Sequence, residues 1–415
     1  MSAKSDRRDM LAFGIIKGSS SIVSFFGAFY LVGTGAAESY GIYLAHFSVA
    51  VILGVMMRMG ADHSLLRLAR SAGRSAGEAA PLRARVMKTW LAAWSVLAVL
   101  GFVIWGFGAP YGSAIAMGPF FALSVMMGRY LRSCGRPRPS SLFDPPYLHM
   151  FGVSLLCLGA PPEAALLAGM AAWQGVGMGV FVRTLGRQAP GRILRAPLFL
   201  RFRTGDLGSI YLSYTIEASF RNGLNLLVQA LYGPVAFAVF NTLLKLNFVA
   251  EQAQEFQRVF RLGGGRGGEG GGGGAAGRLR RLLTRLGVGS RPGGLGGSAL
   301  ETAIFVGASA VANALIMTFM LDGVITAIDP LAFYILLTTL QAISLMAGPA
   351  MFAIWVYRDV AQANLLRIGY IVSFAAAIVL APPTPEVWTL ASVGLLAVTR
   401  LAALEMWRRG GKSPD

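Results

Sequence analysis

The sequence predicts an all-α integral membrane protein of about twelve transmembrane helices. Two observations carry this: the composition is too apolar for water, and the basic residues fall on one side of the predicted crossings. Of 415 residues, 55% are hydrophobic and only 13% charged, against about 25% charged in a soluble domain. Mean hydropathy is +0.59, so lipid is the solvent for most of the chain.

The charged start, Met1–Met10, leads into an apolar run from Leu11 to Gly33. That run is too long for the apolar core of a signal peptide, so a retained first helix is expected at 11–33. The next helices are expected at 41–58, 88–108 and 112–130. A short fifth, 146–160, lies between Pro145–Pro146 and Pro161–Pro162, and 163–183 follows. The basic, irregular stretch 184–205 then divides the chain into two six-helix lobes, 1–195 and 196–415. The second lobe holds helices at 208–231, 233–256, 299–322, 330–356, 363–382 and 387–407. Between the second and third of these crossings lies the Gly-rich segment 262–298. It has neither the Lys nor the strand that a phosphate-binding loop needs, and reads as a flexible linker. Inside it, Leu279, Leu282, Leu283 and Leu286 share one face opposite Arg278, Arg281 and Arg285, the pattern of a short helix on the inner leaflet.

The charges orient the chain. With the N-terminus inside, the outer connections are 34–40, 109–111, 161–162, 232, 323–329 and 383–386, and they contain no Lys or Arg. Their charges are Glu38, Asp329 and Glu386. Of the 37 basic residues, Lys17, Arg221, Lys245 and Arg400 lie within helices. The rest fall in or beside cytoplasmic segments, as the positive-inside rule requires. Both termini are therefore expected in the cytoplasm, with the helices in a bacterial inner membrane. The net charge of +18 is then a topological signal helped by anionic membrane lipid, and implies no nucleic acid. Cys134 and Cys157 have no ligand spacing and are expected as free thiols; His46, His63 and His149 are scattered. No metal or cofactor is expected.

Ionised groups at mid-bilayer are costly, so they face a partner or a water-filled cavity. Helix 208–231 carries Tyr214, Glu217, Arg221 and Asn225 on one stripe, with Glu217 and Arg221 spaced to pair. Helix 233–256 carries Asn241, Lys245, Gln252 and Glu255, and Lys245 falls near mid-bilayer. The first helix offers Lys17 with Ser20, Ser21 and Ser24; the second offers His46, with Tyr43 one turn away. Helix 330–356 has Gln341 and Ser344, then a break at Gly348–Pro349. Arg58, Arg400 and Glu405 are expected as interface anchors, and Lys17 is short enough of the midpoint to snorkel. Three bases against one acid near the membrane centre favour an anionic substrate, and a lipid-linked pyrophosphate fits that balance.

The opening stretch carries Lys17–Ser19, then Glu38, Tyr40, Gly41 and Tyr43, then Gly60, Asp62 and Arg67. It resembles the start of the polysaccharide flippases of the multidrug/oligosaccharidyl-lipid/polysaccharide exporter superfamily. The segment around Gly348–Pro349 is similar to that superfamily's helix 10–11 region. The resemblance implies V-shaped lobes with helices 1, 2, 7 and 8 lining a central cavity. It further implies alternating access for a lipid-linked oligosaccharide, moved from inner to outer leaflet for surface polysaccharide, with H⁺ or Na⁺ as coupling ion. Candidate substrate-binding residues are then Lys17, Arg221, Lys245, Glu217, Asn225, Asn241 and His46. A drug or cation antiporter of the same superfamily is the first rival, but it needs buried carboxylates, which helix 1 lacks. A glycan polymerase or ligase is the second. It needs outer-face acids, bases or Arg groups, and the outer connections hold no Lys, Arg or His. The chain is accordingly expected not to be an enzyme. A non-transporting scaffold is the third.

Overall fold

The structure, a computed structural model, describes residues 20, 22–58, 76–134, 136–143, 146–198, 205–247, 299–320, 325, 327–357, 360–381 and 384–409. All regular structure among them is helical. In chain order the long helices are α1 (Ile22–Gly33), α2 (Ala37–Met56), α3 (Ala76–Gly106), α4 (Gly112–Ser133), α5 (Pro146–Cys157) and α6 (Pro162–Leu185). After them come α7 (205–232), α8 (234–244), α9 (Ala299–Met320), α10 (Pro330–Tyr357), α11 (Val360–Leu380) and α12 (Pro385–Arg409). Among the described residues, seven spans are long and apolar enough to cross a membrane: Ala37–Met56, Ala80–Gly106, Gly112–Ser133, Pro162–Leu185, Asn222–Asn247, Pro330–Ala347 and Pro385–Met406. Shorter apolar helices lie at Ile22–Gly33, Tyr147–Cys157, Ser309–Thr318 and Asn364–Leu380. The chain is a multi-pass membrane protein.

Several boundaries move from their expected places for local reasons. α2 begins at Ala37 rather than 41, because Glu38 in its first turn suits the free N–H groups of a helix start. α3 begins at Ala76 rather than 88. Most of its early residues are good helix formers (Ala, Glu, Leu, Arg), and the helix runs on past its apolar stretch with Gly77 and Pro81 within it. α5 has only 12 residues, about 18 Å of helix, well short of a hydrocarbon core of about 30 Å. α7 and α8 meet at Gly233, whose φ of 84° and ψ of 175° turn the chain in one residue before Pro234. The break expected at Gly348–Pro349 does not form: α10 is continuous from Pro330 to Tyr357. One missing N–H is tolerated where the rest of the helical ladder persists. The linker 262–298 lies outside the described residues, and 245–247 is a 3₁₀ turn where a longer α-helix was expected.

The chain divides into two units, Met1–Ala238 and Val239–Asp415. In the first, α4 is the most enclosed helix, packed on α2, α3 and α6. It is built for close approach: Gly118 meets Leu53 of α2, and Gly128 meets Phe143. Small residues let helices approach where lipid gives no hydrophobic drive between them. Trp94, Met126, Met127, Tyr130, Phe143 and Phe181 form a core at one end. Arg83 of α3 donates from Nη1 to the Ser133 carbonyl at 3.0 Å, a cation at the C-terminal end of α4. Near the opposite end, Gly41 of α2 lies so close to the Pro234 backbone that no side chain fits between them.

In the second unit α10 packs on α9, α11 and α12. Phe240 of α8 contacts Phe374 of α11 and Trp388 of α12 at centroid distances of 6.0 and 6.1 Å. Tyr370 and Ser392 share a hydrogen bond of 2.8 Å between α11 and α12. The acids expected in outer connections have local work here. Asp329 Oδ2 accepts from the Ala332 N–H at 2.9 Å, capping α10 ahead of Pro330. Glu386 is buried, and its Oε1 accepts from the Ala327 N–H at 3.3 Å.

Candidate functional site

The second unit contains a buried polar layer centred on Gln341. Gln341 Oε1 accepts from Ser309 Oγ at 3.0 Å and from Asn313 Nδ2 at 2.9 Å, both on α9. Gln341 Nε2 donates to the Leu246 carbonyl at 3.1 Å. One turn along α10, Ser344 accepts from Arg400 Nη1 of α12, through Oγ and, at 3.4 Å, through its carbonyl. α10 has 28 residues, and Gln341 stands about 16 Å along it from Pro330, about half the thickness of a hydrocarbon core. Lys245 stands at a similar distance from Pro234, just past the end of α8.

Each helix contributes for a legible reason. Ser309 and Asn313 are one turn apart on α9, and Gln341 and Ser344 one turn apart on α10, so each pair projects from one stripe. Hydrogen-bonding side chains at this depth seek one another, since lipid offers them nothing. The bond from Gln341 to Leu246 secures the 3₁₀ turn Lys245–Asn247, and thereby the residue that carries the ammonium group. Lys245 is half-buried there and Asn247 is buried. Among the described residues, the Asn313 Oδ1 acceptor has no hydrogen-bond partner. The layer thus offers amide and hydroxyl groups and the Arg400 guanidinium, with Lys245 next in the chain to the Leu246 carbonyl it holds, a set suited to phosphate or sugar oxygens.

The remaining expected residues distribute unevenly. Asn241 is half-buried on α8, one turn before Lys245; Asn225 is half-buried on α7. Lys17 and the side chains of Glu217 and Arg221 lie outside the described residues, as do Gln252 and Glu255. Arg400, expected as an interface anchor, is instead tied to Ser344, because α12 packs against α10 at that level. Arg58 is buried, with Nε donating to the Gly54 carbonyl at 3.2 Å. Sequence reasoning did not single out Ser309 and Asn313; their spacing of four within an apolar helix was the available signal.

His46 belongs to the first unit. Its Nδ1 lies 2.9 Å from the Ile42 carbonyl, and its Nε2 lies 3.5 Å from Oε1 of Glu163 in the first turn of α6. The Tyr111 ring, at the start of α4, is 5.1 Å from the imidazole. Tyr43, expected beside it, turns the other way, fully buried with its ring 5.8 Å from His149 on α5. A shallow groove of about 720 Å³ runs along α6 past Gly175, Gly179 and Val182 to Arg183 and Arg187, and shares no residue with the polar layer. Among the described residues there is no cluster of His, Cys, Asp or Glu able to hold a metal ion.

No family model and no curated protein matches the chain. Solved structures do. An outward-facing multidrug resistance MATE family transporter of the MOP superfamily aligns with a TM-score of 0.52 at 13% identity, over 97% of this chain and 95% of its own. An inward-facing MATE family transporter of that superfamily gives 0.49 at 12% identity, over 94% of both chains. A further solved chain aligns at 0.50 with 16% identity over 95% of both chains. With its all-helical architecture and near-complete alignment, the chain has the fold seen in the outward-facing MATE transporter.

Proposed function

We propose that this chain is a transporter, not an enzyme, that moves a lipid-linked oligosaccharide from the inner to the outer leaflet for surface polysaccharide assembly. The anionic pyrophosphate head is held at mid-depth while the lipid tail stays in the bilayer. The observation that carries this reading is the buried polar layer of Ser309, Asn313, Gln341 and Ser344, to which Arg400 donates and which holds the Leu246 carbonyl beside Lys245. A cation amid hydroxyl and amide groups, at a depth where charge is costly, suits an anionic head rather than a cationic drug. Arg221, Glu217, Asn225 and Asn241, with Lys17 and His46, are the further substrate-binding residues of this reading. Glu217 competes for Arg221 when the site is empty, or takes a proton during the cycle. Lobes at 1–195 and 196–415, cytoplasmic termini, an inner-membrane location and coupling to H⁺ or Na⁺ belong to the same reading. Anionic membrane lipid is the natural neighbour of Arg183 at the end of α6 and of Arg187 just past it.

The test is surface glycan in cells carrying Lys245→Ala, Lys245→Arg or Arg221→Ala at wild-type protein levels. Alanine at either position should cut export at least tenfold, with Lys245→Arg retaining part of it. Undiminished export in both alanine variants would end the proposal. A cation-coupled drug antiporter shares the fold, since multidrug transporters are among the structures aligned. That reading would gain if the wild-type chain restored drug resistance to a sensitive strain while glycan stayed unchanged.

A further inference from the structure

The contacts of His46 fix more than its position. A backbone carbonyl can only accept a hydrogen bond, so the 2.9 Å contact with the Ile42 oxygen requires a proton on Nδ1. The neutral ring then has its lone pair on Nε2. Nε2 lies 3.5 Å from Oε1 of Glu163. Two acceptors face each other across a gap that one proton would turn into a charge-assisted hydrogen bond. The imidazole is 10% exposed, but Glu163 is 52% exposed, so the pair reaches the protein surface through the carboxylate. Glu163 lies in the first turn of α6, where a negative charge meets free helix N–H groups.

We infer that Nε2 of His46 and Oε1 of Glu163 form a proton-binding site that ties α2 to α6. Proton uptake at Nε2 converts the neutral imidazole to imidazolium, and no other bond is made or broken. With the proton present, α2 and α6 are joined by an ion pair; without it, they are held by packing alone. The other titratable groups near His46 do not substitute for this partner. Tyr111 presents its ring; His149 on α5 lies against Tyr40, Tyr43 and Phe47. Glu38 stands two turns away at the start of α2, and the Arg residues of α4 and α6 lie in the far halves of those helices. The site stands whether or not the chain moves an anionic cargo, because its readout is protonation and not export.

Two measurements on the full chain in lipid nanodiscs test it. The protein has 3 histidines, so ¹⁵N-histidine spectra are simple, and His46→Gln assigns the His46 signal. Neutral His46 should carry its proton on Nδ1, and acidification should add the second proton at Nε2. A neutral ring protonated on Nε2 would overturn the inference, as would a ring that takes up no second proton on acidification. The second measurement is hydrogen exchange over 42–50 and 161–167, corrected for the intrinsic effect of pH. Wild type should be about threefold more protected at pH 6 than at pH 8, the scale of a partly exposed ion pair. In Glu163→Gln the amide can donate to the unprotonated Nε2, so the ratio should fall to about one. A ratio unchanged from wild type in that variant would also overturn the site. If the variant fails to fold, the wild-type spectra alone decide.

Discussion

Replacing Gln341 with leucine tests the polar layer most directly. The side chains are similar in volume, so the change removes polarity and leaves packing nearly intact. Gln341 is 1% exposed and makes three hydrogen bonds, to Ser309, Asn313 and Leu246. Interhelical hydrogen bonds in membranes are worth about 0.6 kcal/mol on average and up to about 1.7 each. Gln341→Leu should therefore destabilise the fold by about 2–4 kcal/mol, with the orphaned Leu246 carbonyl and Asn313 amide contributing most. The assay is reversible unfolding in mixed micelles, followed by tryptophan fluorescence. A double-mutant cycle with Asn313→Leu should return a coupling of about 0.6–1.7 kcal/mol. A single-mutant cost below about 0.5 kcal/mol, or strict additivity in the cycle, would mean that these groups do not hold one another.

Four further outcomes are expected. Gly233→Ala places a side chain where φ is 84° and ψ 175°; a loss of about 2–3 kcal/mol is expected by the same unfolding assay. Gly41→Ala drives a methyl group into the Pro234 backbone, and should cost about 1–3 kcal/mol or lower the yield of folded protein in size-exclusion chromatography. Arg83→Met removes the donor to the Ser133 carbonyl and should cost about 1–2 kcal/mol, most of it at low salt. Burial raises the Cys134 thiol above its ordinary range, against the opposing pull of Arg83. Less thiolate is then present near pH 8, so Cys134 should alkylate several-fold more slowly in the folded protein than after denaturation, the gap narrowing as pH rises.

The helices were legible because lipid imposes them: apolar runs of spanning length and the scarcity of basic residues in the short connections survive without an alignment. Pro330 and Pro385 mark helix starts as plainly in the sequence as in the structure. Gly348–Pro349 misled, because a proline reads as a break locally although surrounding helix and neighbours can carry it. The site was half legible. Lys245, Gln341 and Ser344 stood out as polar residues in apolar runs, but which helix answers which is a property of packing. Arg400 shows the difference: its nearness to a helix end suggested the interface, whereas the crossing of α10 and α12 gives it Ser344. His46 and Tyr43 show it too, since a spacing of three shares a stripe only loosely, and here the two rings part to different helices.

The corner at Gly233 leaves the chain no slack. Pro234 locks its own φ, so swivelling between α7 and α8 is confined to the dihedrals of one glycine. An epitope tag or protease site inserted there would have to unwind helix before it fitted. Topology reporters belong at the roomier corner 107–111, where Gly108 and Tyr111 both take positive φ and the Phe107 ring already stands in the open.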